Sequence, residues 1–170
     1  MELSFGLLIV RIVVGLLMIG HGSQKLFGWF GGPGLKGVTG MLQSMGFKPA
    51  GFWAVIGALG EFGGGILLVL GLLTPLGAVA IFASMLMAVL KFHWKAGLWA
   101  QGGGYEYPLT LGIVALAGGI IGAGNYSLDA LIGFSLPAVY YWVLVVLAVI
   151  VDVIGILTSH TVAAPAQQQA

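Results

Sequence analysis

Residues 3–26 read LSFGLLIVRIVVGLLMIGHGSQKL, an apolar run whose only ionisable side chains are Arg11, His21 and Lys25. A helix rises about 1.5 Å per residue and the hydrocarbon core of a bilayer is about 30 Å thick, so a crossing needs about 20 mainly apolar residues. This run is long enough. Four more stretches come close: 52–73, broken by Glu61; 76–94; 108–123, the shortest; and 136–157, broken by Asp152. The fold class expected is therefore all-α, a polytopic transmembrane helical bundle with five crossings.

Composition agrees with that reading. The 170 residues are 59% hydrophobic and 6% charged, with a mean hydropathy of +1.09, whereas soluble domains carry about 25% charged residues. Membrane lipid is the expected surroundings, and nucleic acid is not an expected partner. A net charge of +1, from six Lys and Arg against five Asp and Glu, offers little to a polyanion. With no cysteine in the chain, disulfides, thiolate nucleophiles, Fe–S clusters and Cys-ligated zinc lie outside its own chemistry.

Glu2 stands where a cleaved signal has its basic region, and no small-residue cleavage pattern follows the first apolar run, so that run is expected to stay as helix one. Thr74 followed by Pro75 is read as an N-cap with proline at the first helical position, giving a tight hairpin between helices two and three. Pro108 marks the start of helix four in the same way. Lys25, Lys36, Lys48, Lys91 and Lys95 all flank the loops after helices one and three. The positive-inside rule then puts those loops in the cytoplasm, the N-terminus outside and the C-terminus inside, in the cell (inner) membrane. Trp29, Trp53, Trp94 and Trp99 form one expected interfacial belt, and Tyr126, Tyr140, Tyr141 and Trp142 the other. Between helices one and two, Leu35, Val38, Met41, Leu42 and Met45 recur at near-helical spacing, which predicts a short helix lying in the interface. The tail 160–170 reads as disordered. The glycine runs at 31–34 and 102–104 lack the ending of a phosphate loop and read as hinges. Asn125-Tyr126-Ser127 matches a three-residue glycosylation sequon, a pattern common by chance.

Ionisable groups inside a membrane cost about 2.5–3.5 kcal/mol each on insertion scales, so each is paired or employed. Arg11 is about 12 Å from one end of helix one and Glu61 about 13 Å from one end of helix two, by helical rise; both approach the midplane and an ion pair between them is expected. The alternatives are a pair that merely pins two helices and a polar patch that holds a headgroup or relays a proton. At 100° per residue, Arg11, Gly15, Met18, Gly22 and Lys25 share one stripe. Gly57, Gly60 and Gly64 flank Glu61, with Gly60 and Gly64 at the spacing that brings helix backbones together. His21 and His93 reach the same leaflet, near Lys25 and Glu106. Two histidines at one depth admit a b-type haem, the less favoured cofactor reading. They also suit donation to a quinone carbonyl, the favoured one. The plain alternative is a pair of interfacial polar residues. Asp152 is expected near enough to the inner surface to find water or lipid headgroups.

The string 11–28, RIVVGLLMIGHGSQKLFG, resembles the opening signature of the DoxX family of small bacterial and archaeal membrane proteins. Further blocks follow in order: Glu61-Phe-Gly-Gly64, Leu70-Gly71-Leu-Leu-Thr74-Pro75, His93, Gly103-Gly104-Tyr105-Glu106-Tyr107-Pro108, and Gly124-Asn-Tyr126-Ser127-Leu128-Asp129. The resemblance covers about 7–129. It implies a four-helix family core at 1–129, an additional transmembrane helix at 130–159, and the tail beyond. It also implies an integral membrane subunit of a quinone-linked redox system, similar to thiosulfate or quinol oxidoreductase assemblies. Arg11, His21, Lys25, Glu61, His93 and Glu106 carry over by motif as candidate ligand-binding residues; no catalytic residue and no metal ligand is assigned. The rival readings are a non-catalytic membrane anchor or assembly subunit for a soluble redox partner, and a carrier of a small solute or lipid. Other membrane or soluble redox subunits are the expected partners, and self-association is left open.

Overall fold

In the computed structural model residues 1–159 are described; the expected disordered tail, 160–170, lies outside them. The described residues form seven α-helices and no strand: α1 Glu2–Phe27, α2 Gly34–Ser44, α3 Ala50–Leu70, α4 Thr74–Met87, α5 Glu106–Ile121, α6 Leu128–Ile132 and α7 Ala138–Thr158. The helical path of α4 continues as a π-helical stretch, Ala88–His93, and a 3-10 turn, Trp94–Ala96. Four segments are long and apolar enough to cross a membrane: Glu2–Phe27, Ala50–Leu70, Thr74–Ala96 and Ala138–Thr158. The fifth expected crossing, α5, is 16 residues long. That is about 24 Å by helical rise, short of a 30 Å core.

Glycine sets how closely the helices pack. On α1 the buried face is Arg11, Val14, Gly15, Met18, Gly22 and Ser23, close to the stripe that the 100° periodicity gives. Gly15 lies against Gly65 and Val69 of α3, and Gly22 against the Phe62 backbone; a Cβ on Gly22 would stand about 2.5 Å from Phe62 N. On α3, Gly65 faces α1, whereas Gly60 and Gly64 face Ser84 and Gly77 of α4. One helix thus offers two small-residue faces, to two neighbours. The central core is Val14, Met18, Leu68, Ala78, Ile81, Met85, Leu111 and Ala115.

These contacts fix the directions. Helices α1, α4 and α7 run one way, with α3 and α5 against them: Gly64 meets Gly77, Gly112 meets Met85, and Gly119 meets Tyr141. The lysine-bearing connections, after α1 and after α4, fall at one end of the bundle, here called the lysine end. The α3–α4 turn and α6 lie at the other.

The short helix expected from 35–45 is α2, and its buried Val38 and Leu42 pack with Phe47 and Ala54. Of the expected aromatic belts, Tyr141 is a core residue instead and Trp53 is half-buried. Tyr141 is buried and donates to Leu116 O at 2.8 Å, while Trp53 packs beneath Gly155 of α7. In both, a partner helix covers the ring that a linear reading leaves at the surface.

The α3–α4 turn also differs from expectation. Thr74 is the first residue of α4 rather than its cap, and Leu73 precedes it in the left-handed region (φ 46°, ψ 42°). The free N–H groups of Leu73 and Thr74 donate to the two carboxylate oxygens of Asp129, at 2.7 and 2.9 Å. A charged bidentate acceptor from a distant segment takes the place of a local hydroxyl, because it satisfies two donors at a helix N-terminus at once.

Candidate functional site

The expected Arg11–Glu61 pair does not form. Arg11 Nη1 donates to Leu68 O at 3.2 Å and Nη2 to Tyr126 O, at the end away from the lysines. Glu61 instead pairs with Lys25. The reason is register: α1 and α3 are antiparallel, with Arg11 level with Leu68, Gly15 with Gly65 and Gly22 with Phe62. The next turn of α1 puts Lys25 beside Glu61. Helix α1 has 26 residues, about 39 Å by helical rise, against 21 for α3, so distances counted from the helix ends do not share a common plane.

At the lysine end α1, α2, α3, α4 and α7 line a half-open cavity of about 640 Å³. Its walls are mostly apolar, with Phe47, Trp53 and Phe92 among them, and its polar lining includes Lys25, Glu61, His93 and Asp152. Glu61 is 1% exposed and the Lys25 side chain 35%, so the carboxylate sits inside and the ammonium partly outside. Glu61 Oε1 takes the Lys25 proton donor, while Oε2 has no hydrogen-bond partner among the described residues. Such a buried acceptor is costly to leave unmade.

Asp152 is a site residue that the sequence reading missed. It was expected near water or headgroups, yet it is 5% exposed and lines the cavity. Its Oδ2 has no partner among the described residues. Depth along α7 is close to what the sequence suggests; azimuth is not. Leu144, Ala148, Val151 and Asp152 form the stripe of α7 that faces the cavity, a helical spacing that was available as a signal.

Of the six candidate residues, then, Lys25, Glu61 and His93 line one cavity and Arg11, His21 and Glu106 do not. His93 ends the π-helical stretch and is held through Nδ1 to Gly103 O at 2.7 Å. His21 Nε2 lies 3.2 Å from Tyr107 Oη, tying α1 to α5. Glu106 accepts from Ala100 N at 3.0 Å and shapes the loop before α5. Among the described residues no group of three His, Asp or Glu side chains is placed to hold a metal ion.

A family profile, DoxX, matches residues 6–94, just over half of the chain. The chain belongs to the DoxX family. Comparison with curated proteins and with solved structures gives no match. The DoxX match spans α1 to the start of the α4–α5 connection and so includes Arg11, His21, Lys25, Glu61 and His93. Glu106 and Asp152 lie beyond it. As a DoxX protein with four membrane-length apolar helices, the chain is an integral membrane protein.

Proposed function

We propose that this DoxX protein is a membrane subunit of a quinone-linked redox system and that the cavity at the lysine end receives the quinone. The observation that carries the reading is a 640 Å³ apolar cavity whose floor is an ion pair between buried Glu61 and partly exposed Lys25. Pockets for small molecules are of this size, mainly apolar, with a few convergent polar groups. A bound quinone would supply electron carriage; the chain's own residues bind and orient it. Lys25 offers ammonium donors to a ring carbonyl, Glu61 holds that ammonium in place, and His93 Nε2 is a second polar group on the same lining. Phe47, Trp53 and Phe92 keep water from the ring. Arg11 is left a positioning role, and His21 and Glu106 act as ties between segments. His93 lines the cavity and His21 does not, which supports the quinone reading over axial ligation of a haem by the two histidines.

The positive-inside rule supports a cytoplasmic lysine end, with the N-terminus outside and α5 as a fifth, thin crossing in the cell (inner) membrane. A second reading, a non-catalytic anchor for a soluble redox partner, draws on Lys36, Lys48 and Lys95 near the same end. The test is organic extraction of the detergent-purified full chain, with a dithionite-reduced difference spectrum. Quinone retained by the native protein and lost in Glu61→Gln supports the site. A chain that retains none, before or after incubation with quinone, refutes it. A partner that co-purifies despite Glu61→Gln but is lost with Lys36→Glu and Lys48→Glu together identifies the anchor.

A further inference from the structure

The cavity is open along one flank. Helices α3 and α7 stand on either side of α4, and Ala80, Ala83, Ser84 and Met87 of α4 line the cavity between them without being buried. Those positions recur at i, i+3, i+4 and i+7, so a single face of α4 is left uncovered. Gly57 of α3 lines the same space, and a Cβ built on it would meet nothing within 4 Å.

The lysine end of the cavity and its flank differ. At the lysine end Val38, Leu42 and Phe47 are buried, and Trp53, Met87 and Phe92 pack against them. The Phe47 ring lies edge-on to Trp53, 5.9 Å between centroids, with Lys91 over it. On the flank, Ile56 of α3 and Val151 of α7 both line the cavity, yet they are 43% and 44% exposed. Helix α7 runs antiparallel to α3 and Gly155 meets Trp53, so Val151, one turn back, is level with about residue 57, opposite Ile56. These two aliphatic side chains edge a slot between α3 and α7. Ile56 is six residues into α3, about 9 Å by helical rise from its lysine end, so the slot opens onto acyl chains rather than water. Glu61, whose Oε2 has no partner among the described residues, stands roughly 7–8 Å further in by the same rise.

Resting on the quinone reading above, we infer that the ligand enters sideways from the bilayer through the slot between Ile56 and Val151 and stays threaded there. Its ring rests at Lys25 and Glu61, and a hydrocarbon tail runs out between α3 and α7. The ligand class is then a lipid-dissolved quinone bearing an alkyl or prenyl chain. A polar ring with an apolar tail matches a cavity whose charged pair is inside and whose mouth is aliphatic. The tail loses nothing in leaving the lipid for Ile56 and Val151, because such side chains are as apolar as the acyl chains they replace. The slot therefore gives passage rather than affinity, and a tailless ring does not depend on it.

The test uses the detergent-solubilised full chain and two probes with one headgroup: tetramethyl-1,4-benzoquinone, and its analogue with a decyl chain in place of one methyl. Affinities are referred to the ligand concentration in the detergent phase, where the native protein is expected to bind the two within about threefold of each other. Ile56→Trp and Val151→Trp together, at positions with room towards lipid, narrow the slot. They should weaken the decyl quinone at least tenfold and leave the tailless ring within about threefold. Equal losses for both probes, or no loss for either, overturn the inference and leave the quinone site standing; the slot then holds an ordinary acyl chain or a neighbouring helix. Ile56→Ala with Val151→Ala widens the slot and should bind both probes as the native protein does. A loss of the decyl quinone there would trace to packing instead of passage and also overturn it. Binding of neither probe by native protein that is monodisperse with its far-ultraviolet spectrum intact refutes the quinone reading and this inference with it.

Discussion

Two cations on the same face of α1, Arg11 and Lys25, meet different ends. Arg11 is enclosed: two of its nitrogens are spent on the carbonyls of Leu68 and Tyr126, and Asp129, close by, adds an attractive charge. Those carbonyls belong to segments far apart in sequence, so the guanidinium acts as a clasp between α1, α3 and the α5–α6 connection. Lys25 is open. It is about a third exposed, it meets one carboxylate oxygen, and the other oxygen is left over beside a cavity. A charge whose partners are all internal stabilises; one whose partner retains unmet capacity can serve a ligand. Arg11 Nε too has no partner among the described residues, so what separates the two sites is that Glu61 lines a cavity and Arg11 does not.

The contrast breaks most readily at Arg11. Replacing it with Ala strands two carbonyls in an apolar interior, and thermal unfolding in detergent should show a loss of about 3 kcal/mol. A cost no larger than that of Glu61→Gln would show that Arg11 is no clasp. Glu61→Gln itself keeps shape and one acceptor but removes the ion pair. With Lys25 free to reach water, the stability cost should be about 1–2 kcal/mol, accompanied by loss of quinone retention. Asp129→Asn tests the closed end from its other side. The cap of α4 keeps one acceptor and loses its charge, so about 1 kcal/mol is expected in the same unfolding measurement. Asp152→Leu should be the smallest effect and of opposite sign. Removing a buried carboxylate with an unpartnered oxygen is neutral to stabilising by about 1 kcal/mol in the ligand-free protein, and a fall in unfolding temperature would mean that Asp152 is a structural residue after all.

Much of the bundle was legible in the chain, because period and length are local properties. The stripe on α1, the small-residue faces of α3 and the short helix at 34–44 follow from spacing alone. What was not legible depends on register between helices. Arg11 and Glu61 both look central when each is measured from its own helix end, but α1 overshoots α3, and the contact of Gly22 with Phe62 decides the pairing. The cap of α4 could not be read near Thr74 because its acceptor lies 55 residues away. The cavity is likewise a space between five elements, and no single segment carries its signature. Asp152 shows the remaining gap: its distance from the helix end was readable, while the side it faces required knowing that α7 packs on α4 and over Trp53.

The last wall of the cavity has a consequence of its own. Lys25, Glu61 and His93 come from the segment that matches the DoxX profile, whereas Leu144, Ala148 and Asp152 come from α7, beyond residue 94. The pocket is thus lined partly by the profile-matched segment and partly by a helix outside it. If the pocket takes the ligand proposed above, a different α7 on the same first ninety-odd residues would change one wall of it and leave the Lys25–Glu61 pair in place, an exchange confined to one contiguous stretch of chain.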